Sequence, residues 1–570
     1  MGSNKIIIRE YLESLKEDKE LDYLFPILLV LMGFKLKSTP KHSKGQSQYG
    51  KDVIAVGLKD GIKKRFYFEI KGHSDKDIDD VSFNKKDGLR DSILAAKDTP
   101  FEDKSDIEFN SLPVEIVTVH NGIIKENFRP QFNGFIAREF PTGGFQDWDI
   151  YTLTELFGNH LFSEYLLADD ESLRLFKRTL VLLDAPEYDF QDFKLLVDFQ
   201  IEKITNIKGR AFKKFFATLN LLSFMILHYS RENNNLYPAR ECLSYLILKV
   251  WSWVLKNQLE TKEAVLNEYR KLINIYHDML DEYFKKTLTA AKMENGLYSG
   301  QGSFFEAVGY PLRSFEYLNY LVYFMQARKY WPNFKTIPNI NKDKLLGKFG
   351  RSLLREIIKK NDGCSRPIID NHSIAIVNVL LYFLKEKNLK QFEINFLGEY
   401  LMRIFNNISL IKIIRKRYPE LHNNLKVLTE FVSTGTRPHN YEDRSTLLIT
   451  VLFEFVSLLN AEDIYVDFKD DFKGKIDLQI AYPNFEEYDI EQLLFEKHFD
   501  DEFYIEHGIE LKDSVIDFKS MIQNKPIENI NYRTDRAGFP FLRILAHIYY
   551  ENEFFPNEWR SLFPVMHEPK

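Results

Sequence analysis

The sequence predicts an α/β domain at its amino-terminal end, with a mixed central sheet flanked by helices, followed by a large and mostly α-helical region. Three observations lead there. Between residues 34 and 119, short stretches alternate apolar and polar positions at period two, bounded by Gly, Asp and Asn. The acidic step Ala168-Asp169-Asp170-Glu171 then marks a change of pattern. Beyond it apolar residues return at three- and four-residue intervals, as in Val265, Tyr269, Leu272, Tyr276, Met279 and Tyr283. The expected division is 1–165 for the α/β domain, 172–430 for a helical domain and 431–570 for a helical subdomain carrying a β-hairpin.

Each element has its own signal. Residues 6–20 have the pattern of an amphipathic helix, and a second helix is expected from about Asp22 to Gly33, because Pro26 is accommodated near a helix start. Phe34 to Lys37 alternates like a strand. After a polar loop, Asp52 to Val56 and Phe66 to Gly72 form two strands joined across Asp60-Gly61, with Glu69 and Lys71 two apart and so on one face. A helix is expected over Asp87 to Lys97 and a buried strand over Pro113 to Val119. Phe135-Ile136-Ala137 and Asp149-Ile150-Tyr151 suggest further short strands, with Thr152 capping a helix through Phe162. Farther on, Phe212 to Leu227, Leu246 to Leu255, Phe315 to Met325 and Ile374 to Leu384 carry helical apolar faces. Ile464 to Phe468 and Lys475 to Ile480 alternate as two hairpin strands across Asp470 to Gly474.

Composition narrows the function. Of the 570 residues 44% are hydrophobic, enough for real cores, and the net charge of −6 excludes a globally basic nucleic-acid coater. Two cysteines, Cys242 and Cys364, exclude a disulfide scaffold and a cysteine-rich zinc site and fit a reducing cytoplasm. The first residues lack the apolar core of a signal peptide. The longest apolar runs, Tyr23 to Phe34 and Phe215 to Leu227, fall short of the ~20 residues of a membrane span. No membrane association is expected.

The chemistry concentrates between Gln48 and Gly72. If the two strands are neighbours, Asp52, Glu69 and Lys71 converge at one end of the pair. Two hard oxygen donors suit a divalent cation, and an ammonium suits an attacking water or a phosphate. Gly45 to Lys51 imitates a phosphate-binding loop, but Asp52 stands where Ser or Thr should hold magnesium, and β-branched Val53-Ile54 follow instead of a helix. Ten Lys or Arg residues face three acids between positions 35 and 71. Lys41, Lys44, Lys51, Lys63, Lys64 and Arg65 among them are candidates to track phosphates. Cys364, Asp370 and His372 share one loop without a further ligand at metal spacing, and a packing role is expected there.

These residues resemble the PD-(D/E)XK nuclease superfamily, and within it the Mrr-like branch of restriction-endonuclease folds. The matching features are Leu31-Met32-Gly33-Phe34, Gln48-x-Gly50-x-Asp52, Glu69-Ile70-Lys71, the strand at 113–119, and Tyr151 to Leu156. The resemblance implies metal-dependent cleavage of nucleic acid, usually DNA, with Mg2+ or Mn2+ as cofactor. It makes Asp52 and Glu69 metal ligands together with the Ile70 carbonyl. Lys71 would orient or activate water, and Gln48 would position the scissile phosphate. The branch places a glutamate eleven residues before the helix-ending glycine; Asp22 stands there instead, with Glu20 nearby, and either is the candidate third acid. The setting it implies is restriction or anti-phage defence in the cytoplasm, with the helical region sensing or restraining. A sensor or NTPase subunit would then be a partner, and a homodimer would serve double-strand cleavage. The competing expectation is an inactive nucleic-acid-binding or scaffold subunit of a larger defence assembly.

Overall fold

The computed structural model describes residues 8–563 apart from 10–11, 14, 16, 18–20, 40–49, 73–75, 87, 104–105, 163–169, 205–208, 331–348, 387–388 and 524–529. The expected helix over 6–20 therefore lies largely outside the described residues. The chain divides into two compact units, Met1–Cys242 and Leu243–Lys570. The expected α/β segment lies wholly in the first unit and the segment from 431 wholly in the second.

In the first unit five strands form one mixed sheet in the order β1 (Lys35–Ser38), β2 (Val53–Lys59), β3 (Ile62–Lys71), β4 (Val114–His120), β5 (Phe145–Trp148). β1–β2 and β2–β3 are antiparallel, whereas β3–β4 and β4–β5 are parallel. The β2–β3 connection is the expected Asp60-Gly61 turn, both residues at positive φ. Period-two alternation puts Phe66 and Phe68 on one face, where Phe68 meets Phe25 of the helix Asp22–Leu31 at 5.1 Å and Trp148 at 5.4 Å. Tyr67 on the other face packs with Ile54, Ile116, Ala96 and Phe109. The sheet is thus covered by helices on both sides, and each buried Phe contributes about 1.5–3 kcal/mol.

Two expected strands are corrected. Phe135-Ile136-Ala137 lies inside the helix Arg129–Glu139, because Phe128, Phe132 and Phe135 recur at helical spacing and pack on Phe83. Asp149-Ile150-Tyr151 opens the helix Ile150–Leu156; the Asp149 carboxylate accepts the Thr152 backbone N–H at 2.9 Å, and the strand lies just before it at Phe145–Trp148.

The second unit is mostly helical. The expected apolar stripe occupies the helix Glu263–Ala291, with Tyr269, Leu272, Tyr276 and Met279 buried. Aromatic residues fill this core, as Trp251, Tyr269 and Phe539 show with ring centres 5.1–5.7 Å apart. A three-stranded sheet orders β6 (Ser445–Thr446), β7 (Asp477–Pro483) and β8 (Tyr504–Gly508). The hairpin expected between Ile464–Phe468 and Lys475–Ile480 does not form. The first of these stretches lies in the helix Glu462–Phe472, where Tyr465, Phe468 and Phe472 are buried at helical spacing behind an acidic first turn; the alternation of Ile464 to Phe468 imitates a strand. β7 pairs instead with β8. Among the described residues no helix is long and apolar enough to cross a membrane.

Candidate functional site

The chemistry expected of Asp52, Glu69 and Lys71 depends on the β2–β3 register. Val53 pairs with Phe68, and the Asp52 backbone N–H continues the ladder to the Phe68 carbonyl at 2.8 Å. Asp52 and Glu69 therefore stand one step beyond that pair, on the same face. One Asp52 oxygen accepts the Ile70 backbone N–H at 2.8 Å. Lys71 leaves the strand on the Glu69 side and places Nζ 2.9 Å from Glu69 Oε1. Glu69 is only 4% exposed.

The electrostatics follow from crowding like charges in a poorly solvated place. Burial first, and then the neighbouring Glu69 carboxylate, push the Asp52 carboxyl up to about 8, while the Ile70 N–H and Lys71 oppose the rise. Burial alone would lower the Lys71 ammonium. Glu69, Glu17 and Asp52 outweigh it and hold Lys71 above its ordinary range. Two carboxylates in this state form a hard-oxygen donor pair whose repulsion a divalent cation relieves, so the residues present fit such an ion.

Glu17 is the acid the sequence reading missed. Its carboxylate lies 3.8 Å from Lys71 Nζ and accepts the Gly72 backbone N–H at 3.2 Å. The close approach requires glycine: a Cβ on Gly72 would stand 2.8 Å from the Glu17 backbone nitrogen. No local pattern announces Glu17, since its place depends on packing across more than fifty residues. Asp22 is the first residue of the helix Asp22–Leu31, whose Phe25 covers the opposite face of β3. Glu20 and Gln48 lie outside the described residues, as do Lys41 and Lys44.

The remaining basic candidates are separated from this end. Lys63 is paired with Glu108 at 2.6 Å, and Lys64 with the fully buried Glu115 at 2.8 Å; Lys59 also binds Glu115. Arg65 donates to the Phe101 carbonyl at 3.2 Å and lies against the Phe109 ring. Five residues of extended chain between Lys64 and Glu69 put roughly 16 Å between them. Lys51 belongs to the acidic end. It is 5% exposed, lies 5.5 Å from the Tyr67 ring centre, and burial lowers its ammonium to about 8 against the pull of Glu69. Gly50 beside it has φ +68°, and a Cβ there would stand 1.9 Å from the Ser92 carbonyl oxygen.

The polar face continues across the sheet. Register places Thr118 beside Glu69, His120 beside Lys71, and Asp147 beside Thr118. Thr118 Oγ1 donates to Asp147 Oδ1 at 2.6 Å, and His120 lies between Asp147 and the Lys76 carbonyl. Among the described residues, no three of His, Cys, Asp and Glu gather closely enough to surround one ion by themselves. No protein-family model, no curated protein and no solved structure matches the chain.

Proposed function

We propose that the chain is a metal-dependent nuclease that hydrolyses phosphodiester bonds of DNA at the Asp52–Glu69–Lys71 end of the first sheet. The observation that carries this reading is the meeting of two carboxylates and an ammonium across β2 and β3, with the Asp52 carboxyl pushed up to about 8 by burial and by Glu69. Asp52, Glu69 and the Ile70 carbonyl would hold Mg2+ or Mn2+. Such an ion supplies Lewis acidity and an acidified water at neutral pH. The chain's own part is to present Glu69 and Asp52 to the cation, with Asp52 giving up its proton when the ion binds, and to hold Lys71 as a charged donor beside Glu69 for the water or a phosphate oxygen. Glu17 steadies Lys71 from the second side. The second unit, far larger than cleavage requires, suits restraint or targeting of that activity, and restriction or anti-phage defence is the setting we infer. A partner sensor or NTPase subunit and a homodimer belong to the same proposal.

The competing reading is a binding or scaffold subunit without turnover. It is favoured by the absence, among the described residues, of a third acid gathered with Asp52 and Glu69. Incubation of the full chain with plasmid, linear and single-stranded DNA and with RNA, in Mg2+, Mn2+ or chelator, tests both. The nuclease reading expects metal-dependent cutting that a Glu69→Ala, Lys71→Ala double substitution abolishes. Equal metal-dependent activity in both proteins would sink the site assignment.

A further inference from the structure

We infer that His120 is a positioning residue, clasping the segment after β3 and the strand β5 to the end of β4 and thereby fixing the Glu69–Lys71 end of the sheet. Each ring nitrogen reaches a partner on a different segment. Nδ1 faces the Lys76 carbonyl oxygen at 3.1 Å, a group that only accepts. Nε2 faces Asp147 Oδ1 at 3.2 Å. That same oxygen takes the Thr118 hydroxyl proton at 2.6 Å, a far better contact than the alternative Gln146 carbonyl at 3.5 Å. The ring is 1% exposed, so breaking either contact leaves a buried polar group without water to replace its partner.

The position explains what the clasp does. His120 pairs in register with Lys71, and Lys76 lies five residues past Lys71, so the Nδ1 bond ties down the chain as it leaves the candidate site. The Asp147 bond ties β5 at the other side. Among the described residues, Asp147 of β5 is the charged side chain that the ring contacts, and Lys71 of β3 is its register partner. The catalytic part of this inference rests on the nuclease reading; the tethering does not.

Two measurements on the full chain test it. Hydrogen exchange of peptides covering residues 66–72 is expected to speed up at least about tenfold in His120→Gln, and in Asp147→Asn should the first variant fold poorly, with the β2–β3 turn unchanged. Unchanged exchange in a folded variant overturns the tethering. In cleavage assays kcat is expected to fall about 10–100-fold with KM unmoved. A wild type that cuts while His120→Gln cuts equally well removes the positioning role and leaves the nuclease reading standing. A wild type that cuts nothing under any metal condition removes the nuclease reading, while hydrogen exchange still decides the clasp.

Discussion

Two places in the molecule bury an aspartate among polar neighbours and surround it differently. In the second unit Cys364, Asp370 and His372 share one loop, as the sequence places them. Asp370 accepts from the Thr446 hydroxyl at 2.5 Å, the Leu447 N–H at 2.8 Å and the Leu448 N–H at 3.1 Å, and so caps the helix Leu448–Leu458. Burial pushes its carboxyl up to about 6 against those donors. His372 lies tilted against Phe315 with ring centres 4.1 Å apart, accepts the Ile368 N–H at 3.3 Å, and is lowered to about 3 by burial. Burial also pushes the Cys364 thiol up to about 12, which removes any nucleophile there. At the sheet end, by contrast, Asp52 receives one backbone donor while a second carboxylate lies beside it. A buried acid saturated with donors finishes a fold; one left in repulsion with its neighbour is held toward its protonated form unless a positive charge is brought beside it.

The sharpest way to break this comparison is to neutralise each acid in turn. Asp52→Asn is expected to lower cleavage about a thousandfold, equivalent to ~4 kcal/mol of barrier, and to abolish Mn2+ binding at that end with little loss of melting temperature; turnover assays and titration check it. Asp370→Ala should do the reverse, costing about 3 kcal/mol of stability in thermal unfolding while activity per folded molecule is unchanged. Gly50→Ala comes next, at about 2 kcal/mol, since the added carbon meets the Ser92 backbone and φ is positive.

Titration separates the two acids more finely. Both carboxyls are raised in the folded protein, so the folded state binds more protons than the unfolded one between the ordinary carboxylate range and the shifted value. Stability attributable to each therefore falls as pH rises through that window, to about 8 for Asp52 and about 6 for Asp370. Mn2+ bound at that end would compete with the proton on Asp52, so its affinity should climb with pH up to about 8 and then level. Added Mn2+ should flatten the Asp52 part of the stability profile and leave the Asp370 part alone; melting curves with and without the ion check this. The smallest effect is expected at Lys63, whose pair with Glu108 is exposed on both sides. Lys63→Ala should shift stability by less than about 0.5 kcal/mol.

Much of this was legible in the residues themselves. Alternation around Asp60-Gly61 predicts the β2–β3 pair, and with it the meeting of Asp52 and Glu69; the stripe Val265 to Met279 predicts its helix. Short runs were illegible where two periods fit equally well. Ile464 to Phe468 satisfies a strand until Phe472 is counted, and Phe135-Ile136-Ala137 satisfies a strand until Phe128 and Phe132 are. Glu17 and the His120–Asp147 contact depend on register and packing between distant segments, which composition does not encode locally. The basic run from Lys35 to Lys71 shows charge but not its partners, and Lys59 and Lys64 prove to serve the buried Glu115.

The mixed pairing of the first sheet also sets an order in time. β2 and β3 are joined by two residues and close on the microsecond scale of a hairpin. β4 joins β3 in parallel only after roughly forty further residues have been looped out, a slower and entropically costlier event. On a ribosome adding about 5–20 residues per second, several seconds separate the emergence of Lys71 from that of His120. The acid pair is assembled early and locally, whereas the elements that tether it arrive late, so any cation bound by the nascent hairpin precedes the clasp that would hold its site in place.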